Sequence, residues 1–200
     1  EKAEKLYRFI LKESPSHADV NYNLGLIEYS RSNFKKASNF FRNALDVNKR
    51  VERFWLSYIK ALINNNDIGD AKRAIEEVER KGFLSNKSVP FYIHFYLATA
   101  LQIEGRFAEA EVSYKRAILL NPNLDQAHNN LGITLQELGR FQEAKDSYKK
   151  ALRLKPDNYK AHSNLGIVLQ ELGNLEDAEA CQRLTIQLKS DYFEAHNNLG

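Results

Sequence analysis

The sequence predicts an all-α solenoid built from antiparallel helix pairs. Two consecutive 34-residue segments, 125–158 and 159–192, are near copies that share the skeleton A-H-x-N-L-G-I-x-L-Q-E-L-G. The same period runs outward in both directions: His94, His128, His162 and His196 stand 34 residues apart, as do Leu97, Leu131, Leu165 and Leu199. Self-similarity at a fixed period of this size marks stacked repeats, each a supersecondary unit that buries its apolar face against its neighbours. Within a repeat, apolar residues recur three and four positions apart, as at Leu131, Leu135 and Leu138. That spacing places them on one face of a helix.

Taken in order, residues 1–17 carry Ala3, Tyr7, Ile10 and Pro15, the pattern that returns later as Ala110, Tyr114, Ala117 and Pro122. They read as the second helix of a repeat whose first helix is absent. Residues 18–51 form a full repeat, with Leu24 and Gly25 on its first helix and Ala37, Phe41 and Ala44 on its second. Residues 52–85 are degenerate: Trp55, Tyr58 and Ile59 replace the His, Leu and Gly of later repeats, and 86–90 are an insertion. Pro90 suits a helix start, where its missing N–H costs nothing. Repeats 91–124, 125–158 and 159–192 follow, and a further one begins at 193 and stops at Gly200. The turns between paired helices carry Gly105, Gly139 and Gly173, suited to a left-handed helix end, and Pro122 and Pro156 stop second helices. Gly132 and Gly166 remove side chains where helices cross, Ala144, Ala151 and Ala178 supply small partners, and Phe141 and Tyr148 fill the remaining space. The whole of 1–200 reads as one solenoid fragment of a longer polypeptide, since it has no methionine and ends within a helical pattern.

These residues resemble the tetratricopeptide repeat (TPR) family. Its pattern L-G…G-x-F…A…Y…A…P is met by Leu131, Gly132, Gly139, Phe141, Ala144, Tyr148, Ala151 and Pro156, and nearly as well by the repeat from 91. The departures lie in repeat 52–85 and in the fifth repeat, where Gln182, Thr185 and Ser190 replace the aromatic, the alanine and the proline and put the regularity of the helix in question. The resemblance implies a right-handed superhelix whose first helices line a concave groove for an extended peptide or partner segment.

By register, the groove positions expected to bind are Tyr22, Asn23 and Tyr29 in the first full repeat, then Tyr92 and Tyr96. Gln126, Asn129, Asn130 and Gln136 follow, then Ser163, Asn164 and Gln170, then Asn197 and Asn198. Leu26, Leu56, Ser57 and Lys60 share the face. Asn23, Asn130, Asn164 and Asn198 fall at one register, interrupted by Ser57 and Tyr96. A carboxamide donates and accepts, so a row of them can hold a peptide backbone with little regard to sequence. The row looks like the asparagine ladder of O-linked N-acetylglucosamine transferases. The Lys/Arg clamp of chaperone-binding TPR proteins is not matched, because Asn129, Ile133, Ser163 and Ile167 occupy such positions.

Composition narrows the remaining classes. A net charge of +3 over 200 residues gives little pull toward nucleic acid, and basic pairs such as Lys149-Lys150 alternate with acids on second helices. No apolar run approaches the roughly 20 residues of a membrane span. One cysteine excludes an internal disulfide framework and fits a reducing, cytoplasmic setting. The histidine row is expected to pack rather than bind metal, because stacked repeats hold its members about 10 Å apart. Cys181 has no paired Cys and no neighbouring His in sequence, and no phosphate loop, dinucleotide fingerprint or nucleophile elbow is present. The expectation is therefore a protein–protein interaction module without catalysis or cofactor. The alternative is the substrate-recruiting arm of a larger transferase with its chemistry beyond Gly200. Uncovered apolar ends predict weak end-to-end self-association.

Overall fold

A computed structural model describes residues 2–83 and 90–197, with the side chains of Glu194 and His196 excepted. The described residues form helices without strands: α1 (Lys2–Glu13), α2 (Ala18–Ser30), α3 (Phe34–Val47), α4 (Glu52–Asn64), α5 (Ile68–Lys81) and α6 (Phe91–Ile103), then α7 (Phe107–Leu120), α8 (Asp125–Glu137), α9 (Phe141–Leu154), α10 (Tyr159–Glu171), α11 (Leu175–Leu188) and α12 (Phe193–Asn197). The chain divides into two compact units, 1–100 and 101–200.

In the first unit, α2 and α3 meet at a glycine. A Cβ on Gly25 would stand 2.5 Å from the ring of Phe41, and Phe41, Ala37 and Ala44 are fully buried. Around α4 the core is bulkier, with Phe54, Trp55 and Ile59 buried, as are Ala71, Ile75 and Val78 of α5. Trp55 stacks on Phe83 with centroids 5.6 Å apart. Leu6 and Phe9 of α1 remain exposed. Glu4 ties α1 to the next helix through Arg31, which also approaches Glu28, while Arg8 bridges Glu4 and Glu28.

In the second unit a tyrosine takes the place of Phe41. Tyr114 and Tyr148 are fully buried, and each donates its hydroxyl to a glutamine twelve residues earlier, Gln102 at 2.6 Å and Gln136 at 3.1 Å. Tyr148 lies under Gly132, where a Cβ would meet ring carbons at 2.5–2.8 Å. Leu131 and Leu135 are buried as their spacing predicts, whereas Leu138 sits at the end of the helix and is 36% exposed. In the fifth repeat α11 is a regular helix of 14 residues despite its departures from the family pattern. Gln182 occupies the tyrosine seat and donates to the Ser163 carbonyl, and Thr185 returns its hydroxyl to Cys181 O. The Gln182 Oε1 is buried without a hydrogen-bond partner.

The turns within pairs share one geometry. Gly105, Gly139 and Gly173 have φ of 73°, 71° and 77°. The following N–H reaches back five residues, as Arg140 N does to Leu135 O, which satisfies a carbonyl left open by the helix end. Ser32 and Asn66 adopt the same left-handed conformation in the first unit, with φ of 61° and 62°. The geometry is thus kept where glycine is absent, with a serine or asparagine accepting the strain.

The loops before first helices are pinned in another shared way. Asn21 Nδ2 donates to Pro15 O, Trp55 Nε1 to Lys49 O, His128 Nε2 to Pro122 O and His162 Nε2 to Pro156 O, each six residues back. These four residues hold one register. A carbonyl can only accept, so both rings carry their proton on Nε2. Burial lowers the pKa of His128, favouring that neutral form. Within the histidine row, His128 and His162 are loop anchors.

Candidate functional site

In the second unit the groove-register amides form one connected chain. Asn164 Nδ2 donates to Asn129 Oδ1 at 3.3 Å, and Asn129 Nδ2 donates to Asn130 Oδ1 at 3.2 Å. Asn130 Nδ2 donates to the Tyr114 hydroxyl at 3.3 Å, which in turn donates to Gln102 Oε1. One repeat plus one residue separates 129 from 164, so a bond between them joins the same face of α8 and α10. Asn130 and Asn164 are half-buried and Asn129 is 8% exposed. Each amide spends part of its capacity internally, which orients the remaining N–H and C=O groups. Gln126 and Gln170 are exposed on the same helices, and Gln136 receives Tyr148. Asn197 is exposed, and Asn198 lies outside the described residues.

Ser163 corrects the register reading. It is 1% exposed, with its backbone carbonyl taken by Gln182, so its hydroxyl does not face a groove. Its register is one residue nearer the seam than that of Asn164, and a side chain as short as serine does not reach past the helix surface.

In the first unit the groove register is aromatic. Tyr22 is held between Phe41 and Phe54, with centroids 5.6 and 4.9 Å away and Arg53 over its ring, and its hydroxyl accepts from Ser57. Asn23 is half-buried, and its side chain makes no hydrogen bond among the described residues. Tyr29, Lys60, Ile63, Asn64 and Tyr96 bound a cleft of about 250 Å³. Asn64 Nδ2 donates to the Tyr29 hydroxyl at 2.5 Å, and the Lys60 ammonium sits 4.7 Å above the ring of Tyr92. Burial raises the pKa of both Tyr29 and Tyr92, so their hydroxyls stay protonated near neutrality. Sequence reasoning missed Ile63 and Asn64; their signal was their place three and four residues after Lys60, on the same helix face.

A larger cleft of ≈ 410 Å³ lies among α3, α4 and α5, and several of its charged side chains have partners within the chain. Arg42 binds the Tyr58 hydroxyl, Arg73 pairs with Asp70, and Lys49 lies 3.9 Å from Glu77. Burial pushes the Cys181 thiol up. Among the described residues no group of three or more His, Cys, Asp or Glu is placed to hold a metal ion, and no helix is long and apolar enough to cross a membrane.

Tetratricopeptide repeat models match residues 1–55, 126–158 and 147–180, and a TPR repeat model matches 98–139. Together they span more than half of the chain, and most of degenerate repeat 52–85 lies between them. Among solved structures, YrrB, described as a TPR protein with an unusual peptide-binding site, is 20% identical with a TM-score of 0.75, over 96% of each chain. MamA from Desulfovibrio magneticus RS-1 is 16% identical with a TM-score of 0.71, over 96% of this chain and 98% of its own. The first TPR of Spaghetti (RPAP3), bound to the HSP90 peptide SRMEEVD, is 23% identical with a TM-score of 0.54, over 55% of this chain and 86% of its own. The fold is that of these TPR solenoids, and the chain belongs to the tetratricopeptide repeat family.

Proposed function

We propose that this chain is a protein-interaction module that binds an extended peptide through the groove-register face of its first helices and performs no catalysis of its own. The connected amides Asn164, Asn129 and Asn130 carry this reading. Their internal bonds fix the rotamers in advance, so a bound backbone finds donors and acceptors already ordered and less entropy is lost on binding. Such amides pair with backbone N–H and C=O groups, which every peptide offers. Two similar solved structures, YrrB and the RPAP3 repeat domain, are described with a peptide-binding site or a bound peptide, which supports the same use here.

The test is capture of a random decapeptide library by the protein and by its Asn130→Ala/Asn164→Ala variant. Losing two hydrogen-bonding positions should weaken capture by roughly tenfold, at about 0.5–1.5 kcal/mol per bond. The melting temperature should stay nearly unchanged, because both side chains are only half-buried. Equal capture by the double variant would remove the amide row from the mechanism. The likeness of this row to the asparagine ladder of O-linked N-acetylglucosamine transferases supports one further reading, that the module recruits substrates for a transferase. Its test is whether the captured peptides are modified by such an enzyme carrying these repeats.

A further inference from the structure

We propose that Tyr114 is a positioning residue for peptide binding: its buried hydroxyl, with its proton committed to Gln102, sets which end of the Asn130 carboxamide faces inward and which is presented to a bound peptide. The inference rests on the peptide-binding reading above and adds to it a buried residue of a second helix, one that no register argument assigns to the groove.

Proton bookkeeping at the hydroxyl carries the argument. A phenol has one proton to donate and lone pairs with which to accept. Tyr114 Oη donates that proton to Gln102 Oε1 at 2.6 Å. Toward Asn130 it can therefore only accept, and it accepts from Asn130 Nδ2 at 3.3 Å. An Asn130 amide turned end for end would set Oδ1 against those lone pairs, acceptor against acceptor. Asn129 Nδ2, which donates to Asn130 Oδ1 at 3.2 Å, favours the same orientation. The terminal torsion of an asparagine is broad and roughly two-fold, so bonds of this kind choose its state. Asn130 then keeps one N–H and one lone pair for a ligand, the counterparts of the C=O and N–H of a peptide unit. The Tyr114 ring is fully buried, which makes its hydroxyl a fixed point.

Two other repeats supply the comparison. Phe41 holds the register of Tyr114 in the first unit and is fully buried without a hydroxyl. There Asn23, which holds the register of Asn130, has a side chain that makes no hydrogen bond among the described residues. Tyr148 is as buried as Tyr114 and donates to Gln136 at 3.1 Å. Asn164, the next residue in the register of Asn130, donates to Asn129 instead, and no groove amide donates to the Tyr148 hydroxyl among the described residues. Tyr114 and Tyr148 thus share a ring, a degree of burial and a glutamine partner. They differ in that only Tyr114 holds a groove amide.

The experiment measures capture of an amidated random decapeptide library against protein concentration, for the protein, Tyr114→Phe and Tyr148→Phe, each also combined with Asn130→Ala. Phenylalanine already fills this seat at Phe41, so both variants should fold, with melting temperatures lowered by similar amounts. Tyr114→Phe should weaken capture by about threefold to tenfold, the scale of leaving one side chain for the ligand to order. Tyr148→Phe should capture as the parent does. With Asn130→Ala in place, Tyr114→Phe should have no further effect, because the two residues act as one unit. Equal capture by the two phenylalanine variants, or a loss from Tyr114→Phe that persists beside Asn130→Ala, overturns the positioning role and leaves the module reading standing. So does an Asn130→Ala variant that captures as well as the parent. No capture by the parent overturns both.

Discussion

Replacing Gly132 by alanine tests the packing logic of the whole array. In a helix the change by itself gains about 1 kcal/mol of propensity. Against this, the new Cβ would lie 2.5 Å from Tyr148 Cε1, 2.7 Å from Cδ1 and 2.8 Å from Cζ. The ring cannot swing away, because Tyr148 is fully buried and its hydroxyl is bonded to Gln136. Overpacking of this kind costs about 1–3 kcal/mol, so the net loss should be about 1 kcal/mol, or roughly 2–4 °C in melting temperature. Gly166 is the internal control. Its Cβ would also meet an atom at 2.5 Å, but that atom is Nε2 at the far end of Gln182, and the one backbone contact, the Ala178 carbonyl oxygen, is milder at 3.2 Å. Moving it sacrifices one hydrogen bond of about 0.5–1.5 kcal/mol, which the propensity gain offsets. Thermal melts followed by circular dichroism should therefore show Gly132→Ala lowered and Gly166→Ala close to the parent. Adding Tyr148→Leu to Gly132→Ala should give a loss smaller than the sum of the two single changes, as coupled neighbours do. Equal melting temperatures for the two alanine variants would refute the argument.

Two further outcomes follow from buried and paired groups. Gln182→Tyr should raise the melting temperature, since it removes a buried unpaired Oε1 worth about 1–3 kcal/mol and places a ring where Tyr148 stands in the preceding repeat; a lowered midpoint would show that the glutamine is the better fit. The hydrogen bonds of Arg31 and then Arg8 hold the Glu4 carboxyl at about 2, below its ordinary 4.5. A depressed carboxyl stabilises the fold above its unfolded pKa and loses that contribution as protons are added. The melting difference between the protein and Glu4→Gln should thus be constant above about pH 5 and close as pH falls toward 2. A difference that did not change with pH would remove the ion pairs from the account.

Much of the architecture was legible because repeats state their register several times over. Gly132 against Tyr148 and the turn at Gly139 follow from residue size and backbone freedom alone, which are properties of the residues themselves. Ser32 and Asn66 were not legible as left-handed, since neither residue demands that conformation; the five-residue return bond of the helix end imposes it. The histidine row was expected to pack, yet the work of His128 and His162, donating six residues back to a loop carbonyl, was hidden. Asn21 and Trp55 do the same with different chemistry, so no residue pattern announced it.

The groove divides in the same way. Sequence alone determined which helix faces bear amides and which bear aromatic rings, because the helical period assigns residues to faces. Tertiary structure decided which of those side chains touch. Asn164 reaches Asn129 rather than Asn130, Ser163 falls into the seam, and Lys60 rests on Tyr92 beside Asn64 and Tyr29. These outcomes depend on how far one helix is rotated and shifted against the next. That offset is set by the packing of whole side chains, Tyr148 under Gly132 or Trp55 on Phe83, and a one-residue difference along a helix turns a side chain by about 100°.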